Sequence, residues 1–280
     1  MKKAINAWAF PSEYSFEDCL RAASKAGFDA VEFNLDGQND GHSFTLKSTD
    51  EEICAVKALC EKYGIETVSI SSSLHGGKWA SSGEEADEAL KVLKKQLHIA
   101  KLMGADTVLL VPGGMPKGIS LAASRRNSAA NLKRAIPMIE EYGVTVGLEN
   151  VWNGFFLSPY DMLSFLDELD SDAFGLYFDM GNMIAFSTSA YWTEIVGPHI
   201  SKLHIKDFKR NGGINSGGEF CDLLKGDADF PAVMAALKAE GFDGYLTAEV
   251  FRTDPSRSWE DFFQSVSDAE DEIIGYYRQA

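Results

Sequence analysis

Along the chain, short runs dense in apolar and β-branched residues alternate with longer stretches whose apolar positions recur at helical spacing, and the alternation holds from end to end. Eight runs predict strands: Ala4–Phe10 (AINAWAF), Ala30–Leu35 (AVEFNL), Glu66–Ser71 (ETVSIS), Asp106–Pro112 (DTVLLVP), Thr145–Val151 (TVGLENV), Phe174–Met180 (FGLYFDM), Ser201–Asp207 (SKLHIKD) and Tyr245–Val250 (YLTAEV). Helices are predicted around Phe16–Lys25, Asp50–Tyr63, Glu85–Met103, Ala122–Tyr142, Tyr160–Leu169, Ala190–Val196, Pro231–Ala239 and Trp259–Tyr276. Five of the eight joints, KAGFDAVEF, KYGIETVSI, LMGADTVLL, EYGVTVGLE and AEGFDGYLT, put a Gly between a helix and the next strand, which suits the left-handed residue that ends a helix.

Strands apolar on both faces belong to a parallel sheet covered by helices. Eight βα units over 280 residues average 35 residues each, the size expected of a closed (β/α)₈ TIM barrel in a single domain spanning residues 1–280. The rival, an open doubly wound sheet, usually carries a Gly-rich phosphate fingerprint after its first strand, and this chain has AFPSEYSF there.

Composition narrows the function. A content of 45% hydrophobic and 24% charged residues is that of an ordinary soluble globular protein. The formal charge of −16 repels phosphate backbones, and the one short basic cluster is KDFKR at Lys206–Arg210, so nucleic acid is not an expected partner. MKKAINAWAF is too short in apolar residues for a secretory leader, and no run approaches the roughly 18 apolar residues that span a bilayer. A cytoplasmic protein without a membrane partner is expected. Cys19, Cys54, Cys60 and Cys221 have neither zinc-knuckle nor disulfide-framework spacing and read as reduced structural thiols.

In a barrel of this kind the site lies at the C-terminal ends of the strands. There the last four predicted strands carry Glu149 with Asn150, then Asp179, then His204 with Lys206 and Asp207, then Glu249. Singly, each has an ordinary reading as a cap, a turn or a core histidine. Together they sit on successive strands and converge above the barrel, where three carboxylates without a cation would raise one another's pKa values. A divalent ion removes that conflict. Three carboxylates and one imidazole suit Mn²⁺ best, with Mg²⁺, Co²⁺ or Zn²⁺ as alternatives. Glu149 and Glu249 are expected to face each other as an acid/base pair that moves a proton on carbon next to a metal-polarised carbonyl, through an enediolate.

The stretches VGLENVWNGFFLSP, YFDMGN, LHIKDFKR and GDADFPAVMAALKAEGFDGYLTAEV resemble the sugar phosphate isomerase/epimerase family of xylose isomerase-like barrels. The resemblance covers essentially the whole chain. It implies a ketose or ketose-phosphate epimerase or isomerase, a small-molecule sugar or sugar phosphate as substrate, a homo-oligomer (dimer or tetramer), and a metal on Glu149, Asp179, His204 and Glu249. It also implies a substrate contact from the cation six residues past the ligand His, here Arg210. Many members read Asp-x-Gly-His or Asp-x-x-His after the sixth strand; this chain has Asp179-Met-Gly-Asn182, and Asn182 can hydrogen-bond a hydroxyl but cannot shuttle a proton. The DNA-repair branch needs more histidines than the five present.

Further substrate contacts are expected from Glu32 on the second strand, from His75 in SSSLHGGKW, and from Trp8 and Trp152 as apolar walls. Asn150 and Asn153 are read as facing the sugar. The Gly-rich segment Lys206–Phe220, with Lys206, Lys209 and Arg210, is a candidate phosphate loop. Two other readings of the same residues are a lyase of the inosose dehydratase type and a non-catalytic sugar-binding barrel.

Overall fold

The computed structural model describes residues 1–37 and 41–280. Its strands are β1 (Lys2–Asn6), β2 (Ala30–Leu35), β3 (Ser43–Phe44), β4 (Glu66–Ser71), β5 (Thr107–Leu110), β6 (Thr145–Glu149), β7 (Phe174–Asp179), β8 (Ile200–Ile205), β9 (Asp207–Arg210), β10 (Gly218–Cys221) and β11 (Tyr245–Ala248). Its α-helices are α1 (Phe16–Ala26), α2 (Asp50–Tyr63), α3 (Glu84–Met103), α4 (Leu121–Tyr142), α5 (Pro159–Leu169), α6 (Ser189–Val196), α7 (Phe230–Ala239) and α8 (Trp259–Gln279). The parallel order β1, β2, β4, β5, β6, β7, β8, β11 returns to β1, so the sheet closes into the (β/α)₈ barrel.

Local chemistry sets the element ends. Ser15, Thr49 and Ser158 close capping boxes at the starts of α1, α2 and α5. Gly27, Gly64, Gly104 and Gly143 end α1 to α4 in the left-handed conformation, as the repeated Gly joints predict. The first strand stops earlier than its apolar run suggests. The Asn6 side chain accepts from Trp8 N–H at 2.7 Å and turns Ala7–Ala9 into a 3₁₀ turn, so a polar side chain has outbid the ladder.

Helix and strand faces share one continuous core that includes Leu20, Ile53, Leu97, Leu132, Phe165 and Phe262, all buried. Each such side chain contributes roughly 1.5–3 kcal/mol by leaving water. Inside the barrel, Ala4, Ala30 and Val68 form a small plug against Tyr245. Tyr177 is fully buried, and its hydroxyl lies 2.9 Å from Ser69 Oγ, linking β7 to β4. Gly147 on β6 makes room for it, since a Cβ there would come within 3.0 Å of Tyr177 Cβ.

A second, unanticipated sheet lies beyond β8. There β9 and β10 form an antiparallel hairpin, with Phe220 opposite Phe208, rooted in Asp207, whose carboxylate accepts from the N–H groups of Phe208, Gly226 and Ala228 at 2.8–3.0 Å. The segment Lys206–Phe220 read as a phosphate loop is β9, the tip and most of β10 of this hairpin. Among the described residues, no helix is long and apolar enough to cross a membrane.

Candidate metal centre

The ends of β6, β7, β8 and β11 bring Glu149, Asp179, His204 and Glu249 together, with one ligand atom from each lying within 4.8 Å of all the others. Asp179 stands opposite His204 in the β7/β8 register, and Glu249 is the first residue past β11. His204 Nδ1 faces the acids, 3.1 Å from Glu249 Oε2, 3.2 Å from Glu149 Oε1 and 4.0 Å from Asp179 Oδ2. Its other nitrogen, Nε2, lies 2.6 Å from Glu32 Oε2. Glu32 is fully buried and also accepts from Asn6 Nδ2 at 2.6 Å and Ser69 Oγ at 2.7 Å. A carboxylate behind an imidazole places the proton on Nε2 and leaves the Nδ1 lone pair for a cation, the usual support of a metal-binding His.

Burial disfavours every charge here, and partners decide the outcome. Burial lifts Glu149 to about 7 against the pull of His204. Burial also acts on Glu249, but the Lys206 ammonium and His204 outweigh it and hold that carboxyl at about 2. Asp179 is raised, chiefly by burial, with Lys206 opposing. His204 is held well above its usual value: burial opposes its charge, and Glu32, Glu149 and Glu249 overcome the opposition. Glu32 is lowered, its burial cost offset by the His204 charge and hydrogen bond.

The donor set fits a divalent ion. Asp179 Oδ2 is buried without a well-directed hydrogen bond among the described residues; Lys206 Nζ comes within 2.8 Å of it, off the hydrogen-bonding axis, and within 2.6 Å of Glu249 Oε2. Asp179 Oδ1 is tied down by the N–H groups of Gly181 and Asn182, which leaves Oδ2 as its outward ligand. Carboxylate oxygens with one imidazole are the ligands of a borderline-to-hard cation.

A cavity of about 620 Å³ opens on Glu149 and Glu249 and is walled by Trp8, Trp152, Asn182 and Lys206 among others. His75 reaches its wall but both ring nitrogens are engaged, with Gln96 Oε1 at 3.0 Å and Trp79 Nε1 at 3.1 Å, and burial pushes its pKa down to about 4. Glu32 lies beneath His204 and not on the wall. Arg210 does not line the cavity; its guanidinium donates to the Ile184 and Ser187 carbonyls at 2.7 and 3.1 Å. Lys209 Nζ pairs with Asp227 at 3.1 Å. Of the neighbours of Glu149, Trp152 and Asn153 line the cavity, whereas Asn150 is turned to the Asp179 backbone, donating to its carbonyl and accepting from its N–H at 2.8 and 2.9 Å.

Two contributors escaped the sequence reading. Phe220, delivered by the hairpin, lines the cavity and stacks on Trp152 at 5.1 Å, and Lys206 Nζ lies 5.6 Å from the centre of its ring. Asp36 accepts from Trp8 Nε1 at 2.8 Å and from Ser73 N and Oγ at 2.9 and 2.5 Å, fixing two wall residues at once. An acidic residue one position past a predicted strand was the available signal for Asp36. Nothing local marked Phe220.

A model of the xylose isomerase-like TIM barrel family matches residues 20–270. The chain belongs to that family. The L-ribulose-5-phosphate 3-epimerase UlaE of Escherichia coli strain K12 is 26% identical over 268 residues, covering 94% of this chain and 90% of the relative. Among solved members of similar fold, an L-ribulose 3-epimerase has a TM-score of 0.80 at 20% identity, covering 99% of this chain and 96% of the other. The IOLI protein with a bound zinc atom reaches 0.82 at 18% identity, covering 99% of each chain. These likenesses support the barrel throughout its length.

Proposed function

We propose that this protein is a divalent-metal-dependent epimerase or isomerase of a ketose or ketose phosphate. The observation that carries the reading is the convergence of Glu149 and Glu249, 3.2 and 3.1 Å from His204 Nδ1, on one cavity. Two carboxyls that open on one cavity supply an acid and a base. The named 3-epimerases among its relatives support the same class.

A divalent ion, with Mn²⁺ preferred, would be held by Glu149, Asp179, His204 and Glu249 and would supply the Lewis acidity that makes the C–H beside a ketose carbonyl acidic. Glu249, ionised, takes that proton. Glu149 delivers a proton to the opposite face of the carbon and so inverts it; return to the neighbouring carbon isomerises instead. Trp8, Trp152 and Phe220 shield the reacting carbon from water, and Asn182 and Lys206 present donors to substrate oxygens. The same reading makes the protein a cytoplasmic homo-oligomer, dimer or tetramer, which light scattering would measure.

The test is deuterium exchange. Mn²⁺-loaded protein in D₂O should wash deuterium into at least one pentulose, hexulose or phosphate of either, and Glu149→Gln and Glu249→Gln should each abolish it. Absence of exchange from the whole panel sinks the proposal, and activity kept by either variant sinks the two-base scheme. Loss of water from an inosose, seen as enone absorbance, would decide for the lyase reading.

A further inference from the structure

We infer that the cavity above Glu149 and Glu249 selects an unphosphorylated ketose and rejects its terminal phosphate, an inference that rests on the reaction proposed above. The cations decide it. Among the described residues, Lys206 is the one Lys or Arg that lines the cavity, and its Nζ already lies 2.8 Å from Asp179 Oδ2 and 2.6 Å from Glu249 Oε2. A terminal phosphate would therefore find no uncommitted Lys or Arg side chain on the wall. A phosphate seated against that wall without a counter-charge is disfavoured.

Of the two cations on β9, Arg210 is held by two backbone carbonyls and Lys209 by Asp227. His75 is surrounded by its own partners and carries no proton to spare. Gly113 in the wall has a packing cause: a Cβ there would strike the Phe155 ring at 2.4 Å.

What the wall does offer suits a neutral polyol. Trp8, Trp152 and Phe220 present ring faces to C–H groups, and Ser73, Asn153 and Asn182 bring hydroxyl and amide groups to hydroxyls. The aromatic face is fixed in place, since Trp152 donates from Nε1 to the Asn182 carbonyl and stacks on Phe220, and Trp8 donates to Asp36. The preference runs against the phosphate in the name of the UlaE relative, which shares 26% of its residues with this chain.

The experiment compares kcat/KM, by deuterium wash-in with Mn²⁺-loaded protein, for pentuloses and hexuloses and for the same sugars carrying a terminal phosphate. The free sugar should be preferred by at least roughly 100-fold, a factor of ten for each 1.4 kcal/mol of discrimination. Equal turnover, or a preference for the phosphates, overturns this inference and leaves the proposed reaction standing; exchange into none of them overturns both. Met115, exposed and on the cavity wall, allows a second arm. Met115→Arg adds a cation there and should shrink the preference about tenfold. An unchanged ratio would rule out missing positive charge as its cause.

Discussion

Glu32 Oε2 lies 2.6 Å from His204 Nε2, two fully buried side chains 172 residues apart that meet beneath the acidic cluster. The contact orients the ring so that Nδ1, and not Nε2, faces Glu149, Asp179 and Glu249. Supporting carboxylates of this kind are worth about 10- to 100-fold in metal affinity. Glu32→Gln should therefore weaken Mn²⁺ binding by that factor in titration calorimetry while the far-ultraviolet circular dichroism stays that of the parent. Unchanged affinity would reduce Glu32 to a packing residue.

Removal of the ion should also be felt by the fold. Ligands that bind only the native state stabilise it by mass action, about 2.7 kcal/mol at a hundredfold excess over Kd. Thermal unfolding with saturating Mn²⁺ should thus lie several degrees above unfolding in chelator. In Asp179→Asn, which loses the charge of the Oδ2 ligand, the gap should narrow sharply. A gap that persists in that variant would place the ion elsewhere.

The division between what the chain announces and what it conceals follows from distance. Each barrel strand is written in a few consecutive residues, and Glu149, Asp179, His204 and Glu249 are legible because a barrel converts strand ends into one location. Partner choice is not local. That Glu32 serves His204, that Arg210 spends its guanidinium on the Ile184 and Ser187 carbonyls, and that Asn150 spends its amide on Asp179 all depend on which side chains the closed sheet brings together. The β9/β10 hairpin was hidden for a related reason: its seven-residue tip, 211–217, is rich in Gly and Asn, and composition alone does not distinguish a hairpin tip from an anion-binding loop.

Asp36 offers a prediction about binding without chemistry. Its carboxylate, just past β2, joins Trp8, past β1, to Ser73, past β4, and touches neither glutamate of the acid/base pair. Asp36→Ala frees the Trp8 ring from its anchor, so KM for the sugar should rise about tenfold with kcat changed far less, since uniform binding is what is lost. Trp8→Phe, which cannot make the same bond, should reproduce part of the rise and shrink the effect of Asp36→Ala in the double variant to the share that passes through Ser73. Additive effects would separate the two residues.

Glu270 on α8 ties the stability of the fold to pH away from the acidic cluster. It is fully buried, neither carboxyl oxygen has a well-formed hydrogen bond among the described residues, and burial raises its pKa well above 4.5, with Lys3 the main opposing charge. Lys3 Nζ is meanwhile engaged by Asp271 at 2.7 Å and Ser267 at 2.8 Å. In the native state Glu270 keeps its proton; unfolded, it loses it above its ordinary value. The folded chain therefore binds the extra proton between those two points, and its stability falls as pH rises through that window. Glu270→Met removes both the proton linkage and the unsatisfied group, whose burial costs about 1–3 kcal/mol. The variant should unfold at higher temperature than the parent, and the advantage should grow from about pH 4, below the ordinary carboxyl range, to about pH 8. Calorimetric scans at the two values decide it, and an advantage that is absent or independent of pH would mean that Glu270 finds a partner for its charge in the native state.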